Sequence, residues 1–244
     1  MSGKALVGET KCCAHRGACA THPENTVPAF REAARLGADM IEFDVGMTKD
    51  GRDAILHDPT VDRTTNGKGA LADLTFEQVR QLDAGSHKGS PFAGEKIPTV
   101  DEALAAIPPG IVLNVHMKSH PGVVDATIDA LRRADRIADA VLAATQDQIS
   151  RVRELCPEVR ICCMTRQGHG SYLDLCIELG VSFLQYLHGQ VTAASVKAAH
   201  DQGITVNCFF ANDEREMRRQ IDCGVDYILT DDAARLLGVL GRGE

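Results

Sequence analysis

The strongest constraint on this chain is the alternation of short β-rich runs with amphipathic helical stretches. The β-rich runs lie at 10–15, 39–45, 110–118, 140–145, 159–165, 182–187, 204–210 and 226–231. Strands that are separated by helices pair in parallel through right-handed crossovers. Eight such strands can close into a (β/α)8 barrel or remain an open, doubly wound sheet.

Two observations favour the barrel. No GxGxxG or GxxxxGK motif follows any of the runs, so a nucleotide-binding open sheet has little support. The 244 residues suit one barrel domain, and no linker-like segment divides them. We therefore expect a single α/β domain, a TIM barrel, over residues 1–244. Its chemistry should lie at the C-terminal ends of the strands.

One further strand-like run, at 53–57, departs from the alternation. Only the turn-rich segment 48–51 separates it from the run at 39–45, which leaves no room for a crossover helix. We therefore expect an extra strand in an antiparallel hairpin. Residues 58–98 then form a small insertion, in which Thr75 and Gln78 have the spacing of a capping box.

The composition limits the partners and the location. The net charge is −8 and the lysines and arginines are scattered, which argues against nucleic acid and for a small-molecule partner. No apolar run is long enough for a signal peptide or a membrane span, so we expect a cytoplasmic protein. Nine cysteines without CxxC spacing fit reduced, mostly buried thiols. The oligomeric state stays open.

Glu42 and Asp44 are the first candidates for chemistry. Two residues apart on one predicted strand, they share a face, whereas Phe43 lies on the other. Two carboxylates inside an apolar barrel would repel each other unless a cation lies between them, and a hard divalent ion suits this role. The alternative is a reversed register, in which both carboxylates are solvated and Phe43 faces the barrel interior.

A second strand repeats the pattern, because Asn114, His116 and Lys118 share one face of the run at 110–118. If this face lines the barrel interior, His116 can supply a third metal ligand and Lys118 a positive charge for an anionic substrate. A histidine in this position can also be a hydrogen-bonded core residue. Its place beside the carboxylate strand leads us to favour the ligand.

Two further histidines are placed for proton transfer. His15 and Arg16 end the first run, and Gly17 allows a sharp turn there. Arginine suits bidentate binding of phosphate, and histidine exchanges protons near neutral pH. The hairpin brings His57 back beside Asp44. Imidazoles on opposite sides of a bound phosphate can act as acid and base in P–O cleavage.

A series of motifs runs through nearly the whole chain. The motifs are AHRG (14–17), PENT (23–26), GADMIEFDV (37–45), TKDG (48–51) and LHD (56–58), with weaker matches at 97–104, 196–207 and 224–231. In order and spacing, they resemble the glycerophosphodiester phosphodiesterase family. The resemblance implies a barrel of the phospholipase C type, with 58–98 as the family's characteristic insertion. It also implies metal-dependent hydrolysis of a glycerophosphodiester to an alcohol and glycerol phosphate.

The resemblance further implies a role for individual residues and one divalent metal ion, Mg²⁺ or Ca²⁺. The matching positions are His15 and His57 for the catalytic acid and base, Arg16 and Lys118 for phosphate contacts, and Glu42 and Asp44 for metal ligands. The PENT segment is expected mainly to shape the loop above the site.

Two positions depart from the family pattern. Most members have a glutamate where this chain has His116, so an imidazole nitrogen replaces a carboxylate oxygen. The change removes one negative charge and brings Mn²⁺, Zn²⁺, Fe²⁺ or Co²⁺ into consideration. At 208–210 the chain has CFF where a tryptophan is common, so Phe209 is expected to form an altered apolar wall for the substrate.

Three functions are consistent with these residues. Hydrolysis of a small glycerophosphodiester is the leading hypothesis, because both histidines, both carboxylates, Arg16 and Lys118 are present. A cyclising cleavage at the same site, leaving a cyclic phosphate, is the second. A phosphate-ligand binding protein with an altered, inactive metal site is the third, and the two retained histidines argue against it.

Overall fold

Eight parallel strands form a closed barrel, as the alternating pattern predicts. The structure, a computed structural model, describes residues 9–243. Its strands are β1 (Lys11–Ala14), β2 (Met40–Met47), β3 (Asp53–Ile55), β4 (Val112–Met117), β5 (Ala140–Ala144), β6 (Arg160–Cys163), β7 (Phe183–Leu187), β8 (Thr205–Phe209) and β9 (Tyr227–Thr230). β1 pairs in parallel with both β9 and β2, which closes the sheet and confirms the barrel.

Helices lie between the strands along the chain, and one follows the last strand. They are α1 (Val27–Leu36), α2 (Phe76–Gln81), α3 (Val100–Ala106), α4 (Val123–Arg133), α5 (Gln146–Leu155), α6 (Tyr172–Glu178), α7 (Ala193–His200), α8 (Glu214–Cys223) and α9 (Ala233–Val239). No helix in the part of the chain that the structure describes is both long and apolar enough to cross a membrane.

β3 lies outside the barrel, where the sequence predicts an extra hairpin strand. It pairs antiparallel with the end of β2, and Val45 lies opposite Ile55. The main-chain N–H of Leu56 donates to the carbonyl of Asp44 at 3.0 Å, so pairing continues toward His57. The hairpin therefore returns the chain to the end of β2 that carries the carboxylates, as predicted.

Residues 58–98 cover one side of the barrel mouth. Here α2 begins with the predicted capping box, in which Thr75 and Gln78 satisfy each other's main-chain N–H groups. Apolar side chains of this segment form their own buried cluster, which includes Val61, Leu71 and Val79. The insertion is thus anchored by hydrophobic packing and can carry side chains in fixed positions toward the mouth.

The two faces of β2 have opposite character. Ile41, Phe43 and Val45 belong to the main core between strands and helices, where the rings of Phe30 and Phe43 lie 5.7 Å apart. The other face points into the barrel, whose interior contains a separate apolar cluster. This register places Glu42 and Asp44 inside the barrel, and the alternative of a reversed, solvated register is wrong.

The chain turns sharply after β1, where Gly17 has a φ of +79°. A Cβ atom at this position would lie 2.7 Å from the main-chain carbon of Ala29. The close approach of the α1 backbone thus requires glycine in this turn. It keeps the loop that follows His15 and Arg16 tight against the barrel rim.

All nine cysteines lie within the described residues, and none forms a disulfide bond. Seven are buried, and Cys19 and Cys223 are half-buried. The expected domain boundaries, residues 1 and 244, and the N-terminal residues 1–8, where no signal peptide is expected, lie outside the described residues.

Candidate active site

A cavity of about 200 Å³ opens where the barrel strands end. Seven of the eight side chains predicted for the site line it, namely His15, Arg16, Glu42, Asp44, His57, His116 and Phe209. Lys118, the eighth, ion-pairs with Asp44 beside the cavity. Barrel enzymes carry their chemistry at this end of the strands. The fold therefore brings the predicted residues into one site.

Glu42 and Asp44 are almost completely buried, with 5% and 0% of their surface exposed. Burial and the neighbouring charge of Asp44 raise the pKa of Glu42. Burial also acts to raise the pKa of Asp44, but the contacts with His116 and the positive charge of Lys118 outweigh it and hold this pKa well below its ordinary value. Neighbouring groups of the protein thus stabilise the negative charge of Asp44, whereas burial and Asp44 disfavour a negative charge on Glu42.

Lys118 is drawn to the buried carboxylate. Its Nζ atom lies 2.7 Å from Asp44 Oδ1 and donates a hydrogen bond to His116 Nδ1 at 3.2 Å. His116 Nδ1 is itself 3.1 Å from Asp44 Oδ1. An acidic oxygen and an imidazole nitrogen therefore converge on one positive charge at the centre of the site.

The loop after β1 orients both carboxylates. The main-chain N–H of Arg16 donates to Glu42 Oε2 at 3.0 Å, and Asn25 Nδ2 donates to Asp44 Oδ2 at 2.8 Å. Arg16 and Asn25 adopt left-handed backbone conformations, with φ of 53° and 58°. Such conformations cost energy in residues other than glycine and cluster at functional sites. The PENT segment thus contacts Asp44 directly through Asn25, in addition to the loop-shaping role predicted for it.

Glu42, Asp44 and His116 have the geometry of a metal site. One ligand atom of each lies within 4.8 Å of the other two. Beside them, buried Asn114 Oδ1 has no hydrogen-bond partner among the described residues. A divalent ion would relieve the carboxylate repulsion, and two carboxylate oxygens with one imidazole nitrogen suit a hard or borderline metal. The residues present therefore fit a single divalent ion.

His15 is held by a partner from the far end of the chain. Its Nδ1 forms a 2.6 Å hydrogen bond with Oδ1 of Asp231, the residue directly after β9. This bond is the main cause that lowers the pKa of Asp231 to about 2, so Asp231 accepts as a carboxylate. Nδ1 consequently carries a proton, and Nε2, 3.9 Å from Glu42 Oε2, faces the site.

His57 is held by its own neighbour. Its Nδ1 hydrogen-bonds with Asp58 Oδ1 at 2.7 Å. Burial lowers the pKa of His57, and this effect exceeds the opposite influence of Asp44 and Asp58. The neutral ring that results at pH 7 donates from Nδ1 to Asp58 and keeps the lone pair of Nε2 available as a proton acceptor.

A chain of ion pairs joins His57 to Arg16 across the mouth. Arg63 donates to Asp58 Oδ2 at 2.7 Å and to both oxygens of Glu24 at 2.7 and 2.8 Å. Glu24 also accepts from Arg16 Nη1 at 2.8 Å. Arg63 thereby links the insertion to the loop after β1, with nearly half of its side chain exposed to solvent.

The wall across the barrel from β2 is uncharged. β7 stands four strands from β2 in the closed order, and its residues Gln185 and Leu187 line the cavity. Asn207 Nδ2 donates to Gln185 Oε1 at 2.9 Å. Phe209 completes this wall and packs edge-on against the His15 ring, with 5.5 Å between centroids. The cavity thus pairs a charged face with a neutral, partly apolar face.

Sequence reasoning did not predict the contacts that Asp231, Asn25 and Arg63 make in this site. Asp231 carried a usable signal, because it is the final residue of the last predicted strand, and closure of the barrel must bring that strand beside β1. Asn25 lay within a recognised motif but had no pattern that pointed to Asp44. Arg63 lies in the insertion, where no periodicity places a side chain.

The fold and the site together define a barrel enzyme that cleaves phosphodiesters. Residues 15–235 match the glycerophosphoryl diester phosphodiesterase family. The chain belongs to this family, and the expected enzyme class, a glycerophosphodiester phosphodiesterase, is confirmed.

Relatives extend over almost the whole chain. A glycerophosphodiester phosphodiesterase from Caldanaerobacter subterraneus subsp. tengcongensis is 33% identical over 96% of this chain and 99% of its own. Among solved structures, a phosphodiesterase from Oleispira antarctica in complex with the product sn-glycerol-3-phosphate superposes with a TM-score of 0.87. It is 26% identical and covers 95% of this chain and 96% of its own. A glycerophosphodiester phosphodiesterase from Agrobacterium tumefaciens has a TM-score of 0.82 at 25% identity, over 92% and 97% of the two chains.

Proposed function

We propose that this protein hydrolyses a small glycerophosphodiester to an alcohol and glycerol phosphate, with His15 as general acid, His57 as general base and one divalent metal ion. The observation that carries the proposal is the shared cavity. It is lined by both histidines and by the three potential metal ligands Glu42, Asp44 and His116.

The surroundings of the two rings support this division of labour. His57 Nε2 keeps its lone pair and can take a proton from the attacking water, because burial lowers the pKa of this ring. His15 lies between the carboxylates of Asp231 and Glu42, at 2.6 and 3.9 Å. Asp231 holds the ring in place, and Nε2 faces the cavity in which the leaving alcohol would take the proton.

Glu42, Asp44 and His116 would hold the divalent ion. When bound, it supplies positive charge that stabilises the negative charge growing on the phosphoryl oxygens. Arg16 adds a planar cation that lines the same cavity and can bind phosphate oxygens through two N–H groups. Lys118 lies beside the cavity, where it forms an ion pair with Asp44. We expect its ammonium group to reach the phosphate when a metal ion takes its place beside Asp44.

The donor set supports a choice of metal. With His116 in place of a third carboxylate, the site has two negative ligands and one imidazole. An imidazole ligand raises the affinity of a site for Mn²⁺, Fe²⁺, Co²⁺ and Zn²⁺ relative to Mg²⁺ and Ca²⁺. We expect His116→Glu to move the preference toward Mg²⁺ and Ca²⁺. Isothermal titration of the metal-depleted protein measures this shift without relying on turnover.

The product found with a relative favours hydrolysis over cyclisation. The Oleispira antarctica phosphodiesterase is described with sn-glycerol-3-phosphate, an open monoester. For this chain, phosphorus NMR separates the two outcomes, because a cyclic phosphate and an open monoester give different signals.

The test uses metal-depleted protein reloaded with Mn²⁺, Co²⁺, Zn²⁺ or Mg²⁺ and a panel of glycerophosphodiesters. Release of alcohol and open glycerol phosphate, lost in Asp44→Asn, supports the proposal. Accumulation of a cyclic phosphate would favour the cyclising reaction. No turnover with any metal would contradict the proposal, and activity created only by His116→Glu would favour a phosphate-binding protein.

A further inference from the structure

Next to the proposed metal site lies a second cluster of metal-ligating atoms, formed by His15, Cys19 and Asp231. One ligand atom of each lies within 4.8 Å of the other two. Asp231 Oδ1 is 2.6 Å from His15 Nδ1 and 3.3 Å from Cys19 Sγ. His15 and Cys19 follow β1 and Asp231 follows β9, and these two strands pair in parallel where the barrel closes.

The cluster is both accessible and constrained. The Asp231 side chain is 42% exposed, so an ion from solvent can reach it. Asn212 donates to Asp231 Oδ2 at 2.6 Å and leaves Oδ1 directed at the other two ligands. Lys88 Nζ donates to the carbonyl of Cys19 at 2.6 Å and holds the loop that presents the thiol. Three different donor atoms are therefore preassembled at the rim of the active site.

The donor chemistry favours a thiophilic ion. A thiolate, an imidazole and a carboxylate are the usual ligands of Zn²⁺, and Cd²⁺ shares this preference, whereas Mg²⁺ and Ca²⁺ require oxygen ligands. Two negative ligands also balance the charge of a divalent ion. Bonds of about 2.0–2.3 Å to a common ion require Asp231 Oδ1 and His15 Nδ1 to separate by less than about 1 Å.

We propose that His15, Cys19 and Asp231 form an inhibitory site for Zn²⁺ and similar thiophilic ions. Binding replaces the hydrogen bonds that Asp231 accepts from the ring and the thiol. The thiol proton and the Nδ1 proton of the ring pass to solvent, Sγ and Nδ1 bond to the ion, and the ring keeps a single proton on Nε2. The inhibitory part of the proposal rests on the proposed function of His15, because a neutral ring fixed to a metal is a poor proton donor for the leaving alcohol.

Cys19→Ser tests the site, and Cys223→Ser is its matched control, because these are the two half-buried cysteines. Cd²⁺ is titrated into metal-depleted wild type and both variants, and the ultraviolet charge-transfer absorption of the cadmium–thiolate bond is recorded. We expect the band in wild type and in Cys223→Ser and its loss in Cys19→Ser. Thermal unfolding of each variant shows whether it is folded.

Inhibition of phosphodiesterase activity is measured in the same three proteins. Each is first reloaded with Mn²⁺ or Mg²⁺, and Zn²⁺ or Cd²⁺ is then added. Inhibition should weaken by about 10- to 100-fold in Cys19→Ser alone. A cadmium band that persists without Cys19 overturns the site. Equal inhibition of all three proteins assigns the inhibition to the Glu42 and Asp44 site and overturns the inhibitory role. If wild type has no phosphodiesterase activity, the proposed function fails, but the absorption still decides whether Cys19 binds the ion.

Discussion

The two histidines proposed for proton transfer are supported by different parts of the molecule. His15 follows a barrel strand, and its partner Asp231 follows the neighbouring strand that closes the barrel. His57 follows the hairpin outside the barrel, and its partner Asp58 is held by exposed Arg63. The side-chain exposure of the rings differs accordingly, at 12% for His15 and 37% for His57.

This difference separates a rigid side of the site from an adjustable one. Main-chain hydrogen bonds between β1 and β9 fix the distance between His15 and Asp231, and added salt does not weaken these bonds by screening. The His57 side depends on ion pairs at the surface, which are weaker and sensitive to ionic strength. The insertion that carries Arg63 can therefore tune one half of the proposed catalytic pair while the barrel holds the other constant.

Removing either ring should have the largest effect. We expect His15→Gln and His57→Gln each to lower kcat by about 10²- to 10⁴-fold, because each loses one proton transfer. Steady-state kinetics with saturating metal measure the loss. His200→Gln is the control, since this ring pairs with Asp226 on the outside of the barrel and should change activity little. A variant at His15 or His57 with undiminished kcat would refute its assigned role.

Asp231→Asn should have the next largest effect, on the rigid side. The amide is a weaker acceptor for Nδ1–H and no longer fixes the ring orientation that turns Nε2 of His15 toward the site, so kcat should fall by about 10- to 100-fold. Asp232→Asn is the matched control, because the Asp232 side chain accepts from the main-chain N–H of Arg235 at the start of α9. It should lower the thermal stability slightly and leave kcat near the wild-type value. Equal losses of kcat in both variants would mean that general destabilisation of this loop explains the effect.

Arg63→Gln should have a smaller effect, on the adjustable side. Exposed ion pairs contribute about 0.2–1 kcal/mol each, so we expect kcat to fall by about 2- to 10-fold. Wild-type kcat should decline with added salt toward the value of the variant, whose own kcat should depend less on salt. Arg80→Gln is the control, because Arg80 pairs with Glu102 in the same part of the chain without contacting Asp58 or Glu24. The same salt response in both variants would argue against a special role of Arg63.

The smallest expected effect concerns pH. A general base works in its deprotonated form, so activity falls as the pH drops through the pKa of His57. Because burial lowers that pKa, the acid limb of kcat/KM should lie below the ordinary histidine value of 6.5. Asp58→Asn removes a hydrogen bond that raises the pKa, and the limb should move further toward acid. A limb above 6.5, or a shift toward alkaline pH in the variant, would contradict the assignment.

The barrel and most of the site could be predicted because they depend on local patterns. Alternation of β-rich and helical stretches predicted the eight strands, and the short turn before Asp53 predicted the hairpin. The period of two along β2 placed Glu42 and Asp44 on the inner face, since the pleat of a strand alternates side chains strictly.

The rest depends on contacts between distant residues. Asp231 and His15 are separated by 216 positions, and only closure of the barrel brings them together. Lys118 shares a face with His116, but its long side chain can turn to a cavity or to a neighbouring carboxylate, and burial of Asp44 decides the outcome. The ion pairs of Arg63 depend on how the insertion folds over the mouth, which no periodicity describes.

The central claim, that His15 donates and His57 accepts the proton, is tested most directly by varying the leaving group. A glycerophosphodiester with a nitrophenol leaving group needs little protonation, whereas one with a simple alkyl alcohol needs much. We predict that kcat/KM of His15→Gln recovers toward wild type with the nitrophenyl diester, while His57→Gln stays equally impaired on both substrates. Recovery of His57→Gln with no recovery of His15→Gln would reverse the two roles and contradict the account.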